Sequence, residues 1–460
     1  MSFVKRFKQA LESLTALAEV PDFSDRRYVV AYSGGVDSHV LLYCAKQAGL
    51  SVRAVHVHHG LQEVADDWVL HCQSICQQLD VPLHVVFVDA QKKPGDSPEE
   101  SARKVRYQAL YEAMDAGECL LTAQHLNDQA ETLLLQLFRT ASSAGLSSMP
   151  VYQQFGVYQH ARPLLSFSRE EIEHYAAENN LRWIEDPSNK DVAFDRNFLR
   201  KNILPELKKR WPEVISQLSI VADLQANNLK VLEDMAAIDL ANVLVTQSNL
   251  FTASIAKVVS ILSIDRLKQL SPSRLLNVLR YWVITSLEQQ PTRKLLHELE
   301  KTLIYSSPDA KPSLAFLGFT FKKFHSNLYL LETRDISLTS TKLDWQPPSV
   351  MKITALDIQL KVVDVAVGDS TKYRLHNELQ NKMLSIGFRQ GGENFHPAGR
   401  QHSQRLKKLF QEAGIPPWER EVTPLLYYDD ELIAVIGHWL SKKYLADEAE
   451  AGWKVAIERL

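Results

Sequence analysis

Residues 29–42 read VVAYSGGVDSHVLL, and the reading of this stretch decides the fold. A run suited to a buried strand ends in Ser33, Gly34 and Gly35. Val36, Asp37 and Ser38 then open an apolar run with helical spacing. Adjacent glycines let a chain turn sharply as it leaves a strand. Backbone N–H groups in such a turn, with the N-terminus of the following helix, make an anion site. Ser33 and Ser38 add hydroxyl donors, and Asp37 adds a carboxylate able to hold a metal ion beside phosphates. No G-x-x-x-x-G-K-[ST] occurs, so this is not a Walker-type phosphate loop. The plain alternative is a strand-to-helix turn in which Asp37 or Ser38 merely caps the helix.

Outward from the loop, strand and helix signals alternate over the first 140 residues or so. RYVVAY leads to SHVLLYCAKQAG, SVRAVHVHH to EVADDWVLHCQSICQQL, VPLHVVFVD to SPEESARKVRYQALYEAMDAG, and ECLLTAQ to NDQAETLLLQLF. Short strands that are apolar on both faces belong to a covered parallel sheet. Repeated strand–helix units therefore predict an α/β domain with a doubly wound parallel sheet, its ligands bound beyond the C-terminal strand ends. From about 215 to 300 the pattern is helical, and 312–332 alternates like strands. A Pro- and Ser-rich stretch near 338–350 reads as a linker. Beyond it, short strand-like runs surround one basic helix, Arg400 to Phe410. The expected boundaries are an N-terminal domain over 1–214, a helical middle domain over 215–340 and a small α+β C-terminal domain over 351–460.

The chain has 460 residues, 45% hydrophobic and 23% charged, with a net charge of −3. These values suit a globular protein and predict no blanket attraction to nucleic acid, so a polyanion must be held by local basic patches. No apolar run reaches the ~20 residues of a membrane span. The amphipathic start, with Phe3, Phe7, Leu11 and Leu14 on one face, carries Glu12, Glu19 and Asp22, which favours an ordinary helix over a transit peptide. Four cysteines without a C-x-x-C suit a reducing, cytoplasmic compartment and argue against zinc or iron–sulfur sites. The cluster His56, His58 and His59 could suggest a metal, but His56 and His58 share one strand face with no carboxylate or thiolate nearby in sequence, so strand-end packing is the plainer reading.

Two further segments carry chemistry. In TAQHLNDQAETLL (122–134), Asp128 and Glu131 lie three apart, so on a helix they share a face. They could hold magnesium and take a proton from an attacking amine. The same D-x-x-E spacing also describes a capping box with Asp128 as the cap. In RWIEDPSNKDVAFDRNFLRKNILP (182–205), Asp186, Asn189, Asp191, Arg196, Asn197 and Arg200 crowd a short polar segment. Its guanidinium groups suit phosphate or carboxylate recognition.

The hexapeptide SGGVDS at the end of a first strand resembles the pyrophosphate (PP) loop of the ATP pyrophosphatase superfamily. SGGVDS, VHVHHGL, ESARKVRYQAL, TAQHLNDQAET, RPLL, RWIEDPSN and DRNFLR follow the order seen in tRNA(Ile)-lysidine synthetases. FRQGGENFHPAGRQHSQRLKKLFQEAGIPPWERE (388–421) looks like that family's C-terminal domain. The resemblance implies an adenine nucleotide alpha hydrolase-like N-terminal domain and two tRNA-binding domains behind it. It implies ATP as co-substrate, Mg2+, free L-lysine and an isoleucine tRNA with a CAU anticodon, and it leaves room for a homodimer. The implied reaction adenylates O2 of the wobble cytidine and then ligates lysine to C2.

On that reading Ser33, Gly34, Gly35, Val36, Asp37 and Ser38 bind ATP, with Asp37 the magnesium candidate. Asp37, Asp128, Glu131 and Arg196 are the catalytic candidates, and His125, Asp128 and Glu131 face lysine and nucleotide. Arg200, Lys201, Arg400, Arg405, Lys407 and Lys408 would meet tRNA, although each basic run is also what a solvated helix face looks like. Two departures from the family pattern stand out. Asn127 replaces the first of two acids, and Thr140 and Ser142 replace glycines of the following loop. The competing readings are a cytidine thiolase, which needs cysteines to carry sulfur, and a non-catalytic tRNA-binding protein with a decayed ATP site.

Overall fold

A computed structural model describes residues 2–18, 26–58, 65–88, 98–139, 141–187, 191–245, 256–307, 310, 312–333, 342–367, 373–447 and 449–460. The chain divides into two compact units, Met1–Val231 and Leu232–Leu460.

The first unit begins with α1 (Phe3–Ala18) and then alternates: β1 (Arg27–Ala31), α2 (Val36–Gln47), β2 (Ser51–His58), α3 (Ala65–Gln78), β3 (Leu83–Phe87), α4 (Pro98–Glu112), β4 (Glu118–Leu121) and α5 (Leu126–Phe138). A short α6 (Ser143–Leu146), the hairpin β5 (Tyr152–Phe155) and β6 (Tyr158–Ala161), and α7 (Arg169–Glu178) complete the layer structure. The six strands lie in the order β3-β2-β1-β4-β6-β5. β5 runs antiparallel to β6 at the edge, and the other pairings are parallel. Tyr28, Val29 and Val30 of β1 are all fully buried. Their side chains alternate between faces. Tyr28 and Val30 join Phe7, Val40, Leu41 and Ile172 in one core, while Val29 joins Leu110, Met114 and Leu120 in another. The sheet is thus covered on both faces, as the doubly wound reading requires. Strand order reverses at β1, so the crevice between the C-terminal ends of β1 and β4 is the natural ligand position.

A third cluster places the site's outer wall. Ala130 and Leu134 of α5 pack with Leu199, Leu204, Val214 and Ile215. This holds α8 (Asp195–Phe198), a π-helical turn (Leu199–Ile203) and α9 (Leu204–Arg210) against α5. Pro205 has no N–H to give to the Lys201 carbonyl, so an α-helical ladder cannot run through unbroken. A 30-residue helix, α10 (Val214–Val243), follows.

In the second unit, β7 (Val258–Ser263), α11 (Ile264–Leu267), α12 (Pro272–Leu287), α13 (Arg293–Glu298), β8 (Ser313–Phe316), β9 (Phe319–Phe324) and β10 (Asn327–Glu332) form a helical layer on an antiparallel sheet. Trp282, Leu279 and Phe321 sit at its centre. The alternation at 312–332 is therefore part of a four-stranded sheet inside a region that otherwise reads as helical. The C-terminal part combines a five-stranded and a four-stranded sheet around Trp345, Ile386 and Trp453.

Two expectations are corrected here. Residues 342–350 are not linker: Leu343–Trp345 pairs with Leu384–Gly387, Trp345 is buried, and its Nε1–H donates to the Ser349 carbonyl at 2.8 Å. Residues 338–341 lie outside the described residues. The basic helix spans only Leu406–Glu412, because Gln404–Arg405 pairs as a short ribbon with Asn394–Phe395. Among the described residues no helix is long and apolar enough to cross a membrane.

Candidate active site

Past β1 the chain turns through Gly34, whose φ is +82°. That backbone region disfavours any residue with a Cβ. A Cβ at Gly34 would also lie 2.7 Å from Ile184 Cδ1. The Gly34 carbonyl accepts from Ile184 N–H at 3.0 Å, tying the loop to the segment after α7. Ser38 Oγ donates to the Gly35 carbonyl at 3.0 Å and accepts from Ser33 N–H at 3.2 Å, which clamps the turn from inside. Gly35 is the cap residue of α2 and offers no side chain to it. The N–H groups of Val36, Asp37 and Ser38 precede the first intrahelical donor, His39, so they are the helix's orphan donors and suit an anion.

Asp37 stands at the lip of this turn. Its Oδ2 takes a bond from Arg169 Nη1 at 2.5 Å, and its Oδ1 lies 3.7 Å from His125 Nε2. Oδ1 is buried without a hydrogen-bond partner. Burial raises the Asp37 carboxyl above its ordinary value, against the pull of His125 and Arg169. A buried, hydrogen-bond-free carboxylate oxygen beside phosphate-binding N–H groups fits Mg2+, which takes few protein ligands and completes its shell with phosphate and water.

Beyond β4, His125 caps α5. Its Nδ1 accepts from Asp128 N–H at 3.4 Å, and Asp128 Oδ2 accepts from His125 N–H at 3.1 Å. The capping box is therefore His125 with Asp128, one frame earlier than the alternative that put Asp128 in the cap position. Glu131 takes no part in it. Fully buried, its carboxylate receives Arg200 Nε at 2.7 Å and Arg200 Nη2 at 2.9 Å. Arg200 Nη2 also reaches Asp128 Oδ1 at 3.1 Å. Arg196 stands further out, with Nε 3.6 Å from Glu131 Oε2 and Nη2 donating to Thr132 Oγ1 at 3.0 Å.

These surroundings pull the two acids apart. Burial works to raise Asp128, but the His125, Arg200 and Arg196 charges outweigh it and hold the carboxyl below its usual range. Burial raises Glu131 despite Arg200. Arg200 is held firmly protonated: its burial is outweighed by Glu131 and Asp128. Glu131, raised yet still paired with Arg200, is thus the stronger base of the two acids, and Asp128 the one held more firmly ionised.

A contact chain thus runs Arg169–Asp37–His125–Asp128–Arg200–Glu131, joining the phosphate turn to the acid pair. Residues 2–207 match a family model for the PP-loop domain, 262–329 one for the TilS substrate binding domain, and 384–457 one for the TilS substrate C-terminal domain. The chain is 36% identical to the tRNA(Ile)-lysidine synthase of Coxiella burnetii, covering 95% of this chain and 94% of that one. It is 38% identical to the enzyme of that name from Pectobacterium atrosepticum and 39% to that from Edwardsiella ictaluri, each match covering 94% of both chains. The chain belongs to the tRNA(Ile)-lysidine synthase family.

One departure from the family pattern, Asn127, has a local explanation. Asn127 Oδ1 accepts from the backbone N–H of Arg169 at 3.0 Å, so the uncharged residue anchors the start of α7. Ser142 is the cap residue of α6, and Thr140 lies outside the described residues. The polar segment 182–205 divides. Asn197 Nδ2 donates to the Asp191 carbonyl at 2.7 Å within the loop itself, whereas Arg196 and Arg200 reach α5. Asn189 lies outside the described residues.

Of the residues expected to meet tRNA, Arg200 is placed in the acid cluster, and Lys201 beside it is exposed. Arg405, Lys407 and Lys408 are exposed, while Arg400 Nη1 donates to Glu412 Oε2 at 2.6 Å. His56 Nδ1 meets the Tyr32 carbonyl at 2.9 Å and the Cys72 thiol at 3.5 Å, His58 Nε2 lies 3.3 Å from Asp66 Oδ1, and His59 lies outside the described residues. Arg169 was not legible in the sequence. It follows Ser168 in S-R-E-E, an ordinary capping box, 132 residues from Asp37.

Proposed function

We propose that this ligase joins L-lysine to C2 of the wobble cytidine of an isoleucine tRNA with a CAU anticodon, at the expense of ATP. The observation that carries this reading is the contact chain from the phosphate turn to the Asp128–Glu131 pair. Either half alone would suit many enzymes. Together they offer a pyrophosphate seat and an amine seat within one crevice.

In the first step the cytidine O2 attacks the α-phosphate and pyrophosphate leaves. The first-turn N–H groups of α2 and the Ser33 hydroxyl would meet the departing charge, where preorganised donors are most effective, while Ser38 holds the turn from inside. Asp37 would hold Mg2+, which supplies charge screening for the phosphates when bound. In the second step the lysine ε-amine attacks C2, the C2–O bond breaks and AMP leaves. A free lysine amine has a pKa of about 10.4 and arrives protonated. Asp128, kept ionised, holds the ammonium, and Glu131, raised by burial, takes the proton. Arg200 fixes the two carboxylates, Arg196 adds its charge from 3.6 Å, and His125 orients the nucleotide side. Lys201, Arg400, Arg405, Lys407 and Lys408 would bind tRNA phosphates, with the middle and C-terminal domains as tRNA-binding modules. A tRNA substrate supports a cytoplasmic location.

Cytidine thiolation is disfavoured by the cysteines. All four are buried and free, and burial pushes Cys72 up to about 12 and Cys76 up to about 11, leaving no thiolate to carry sulfur. Incubation with tRNA(Ile), ATP and lysine, followed by mass spectrometry of the wobble nucleoside, tests the reading. Lysidine with AMP and pyrophosphate is expected; unmodified cytidine beside bound tRNA would point to a binding protein instead.

A further inference from the structure

The loop Ser33–Ser38 carries no lysine or arginine, and its one charged side chain is negative. A site that must take a triphosphate and release pyrophosphate needs positive charge on the phosphates. Arg169 reaches this loop from α7. Its Nη1 lies on Asp37 Oδ2 at 2.5 Å and its Nε on Glu173 Oε1 at 2.7 Å, while its side chain stays one-third exposed. A guanidinium has five N–H donors, and these two contacts use two of them. Its backbone N–H is held by Asn127 at 3.0 Å, so the start of α7 is pinned to the start of α5. A residue that served only to neutralise Asp37 would need neither this anchor nor a second carboxylate on its Nε.

We propose that Arg169 is the phosphate-contacting arginine of this site. In the structure its guanidinium rests on Asp37. When ATP enters, Nη1 passes from Asp37 to the β- and γ-phosphates, while Glu173 and Asn127 keep the side chain within reach. The move also frees Asp37 Oδ2 to face a cation that arrives with the nucleotide. No bond is made or broken by Arg169, and its charge is unchanged throughout. The inference rests on the proposed ATP site but not on the identity of the base or amine.

Nucleotide binding measured by calorimetry without tRNA or lysine tests it. A contact to the β- and γ-phosphates favours ATP over AMP, so Arg169→Ala should cut the ATP-to-AMP affinity ratio by roughly ten- to a hundredfold, the range of one charged hydrogen-bonded contact. Arg169→Lys keeps the charge without the fork and should fall between alanine and wild type, which guards against a folding defect in the alanine variant. Glu173→Gln should lower the ratio only a few-fold. An unchanged ratio in Arg169→Ala, or equal losses for ATP and AMP, would overturn the inference while leaving the functional reading intact. A wild-type protein that bound no ATP would overturn both.

Discussion

Replacing Glu131 by glutamine separates the two things its carboxylate does. In the folded protein Glu131 receives two N–H bonds from Arg200, at 2.7 and 2.9 Å, and is fully buried. Glutamine keeps one acceptor oxygen but turns its amide donors toward the guanidinium. Removing one partner of a buried ion pair costs about 3–5 kcal/mol. Here Asp128 still reaches Arg200 at 3.1 Å, and the arginine side chain is 38% exposed, so both soften the loss. A cost near 2 kcal/mol is expected, or about 4–8 °C in melting temperature for a unit of this size. That shift follows whether or not Glu131 is catalytic, so melting alone decides nothing.

The lysine dependence decides it. To take the proton Glu131 must meet the ammonium beside Asp128, and losing that contact is worth ~1.5–3 kcal/mol, which raises the lysine requirement by roughly ten- to a hundredfold. Losing the proton acceptor slows transfer by a further ~10²–10⁴. Pyrophosphate release, measured without lysine, should stay within a few-fold of wild type. Lysidine formation is then followed against lysine concentration by mass spectrometry. A Glu131→Gln protein that melts early yet shows wild-type lysine saturation and transfer rate would refute the reasoning. Glu131 would then be no more than the buried counterion of Arg200.

Three more outcomes are expected. A Cβ at Gly35 would meet nothing closer than Ser33 Oγ at 3.6 Å, so Gly35→Ala should melt like wild type but bind ATP at least about tenfold more weakly, because the methyl occupies the approach to the phosphates; Gly34→Ala, at φ +82°, should instead lose ~1–2 kcal/mol of stability, and normal ATP titration of Gly35→Ala counts against the loop assignment. Asp128 is held below its ordinary carboxyl value, so it contributes stability above its unfolded pKa of about 3.9 and loses it as pH falls through the lower folded value; Asp128→Asn should therefore flatten the acid limb of a melting-temperature profile, and parallel limbs in the two proteins would argue otherwise. Replacing the exposed Arg405, Lys407 and Lys408 together by alanine should weaken tRNA binding and flatten its salt slope by up to about three units with ATP binding unchanged, whereas a wild-type slope would make this face a solvated one.

How much of this was readable beforehand depends on the range of the interaction. β1 to β4 were legible because each is a short apolar run followed by a helical period, a local pattern. The β5–β6 hairpin was not: YQQF and YQHA are short and half polar, and they become strands by closing the sheet edge beside β4. The D-x-x-E spacing of Asp128 and Glu131 fits two helix frames, and sequence leaves the frame open. His125, a residue seldom used as a cap, settles it by accepting through Nδ1. That shift moves Asp128 into the cap's service and releases Glu131. Arg196 and Arg200 are four apart and look equivalent, yet a π-helical turn beginning at Leu199 aims Arg200 squarely at Glu131 and leaves Arg196 at 3.6 Å. Arg169 carries no local signal at all, since its partner is distant in the chain and its neighbours spell a routine helix start.

The paired charges give the site a common logic. Each carboxylate position already has a cation: Arg169 on Asp37, and Arg200 on Asp128 and Glu131. The proposed substrates bring the same two signs. A magnesium–nucleotide complex offers a cation to Asp37 and phosphates to Arg169; lysine offers an ammonium to the acid pair and a carboxylate to whichever guanidinium that pair releases. Binding then exchanges partners instead of stripping charges bare. An unpaired buried charge costs several kcal/mol, so this exchange keeps the crevice tolerable both empty and filled. It also puts His125, between Asp37 and Asp128, where a change at one pair is felt at the other. If that is how the two half-reactions communicate, loss of Arg169 should alter nucleotide affinity first. Loss of Glu131 should alter lysine use first, and the double variant should be non-additive in the same two titrations, because Asp37 feels His125, Asp128 and Arg200 together.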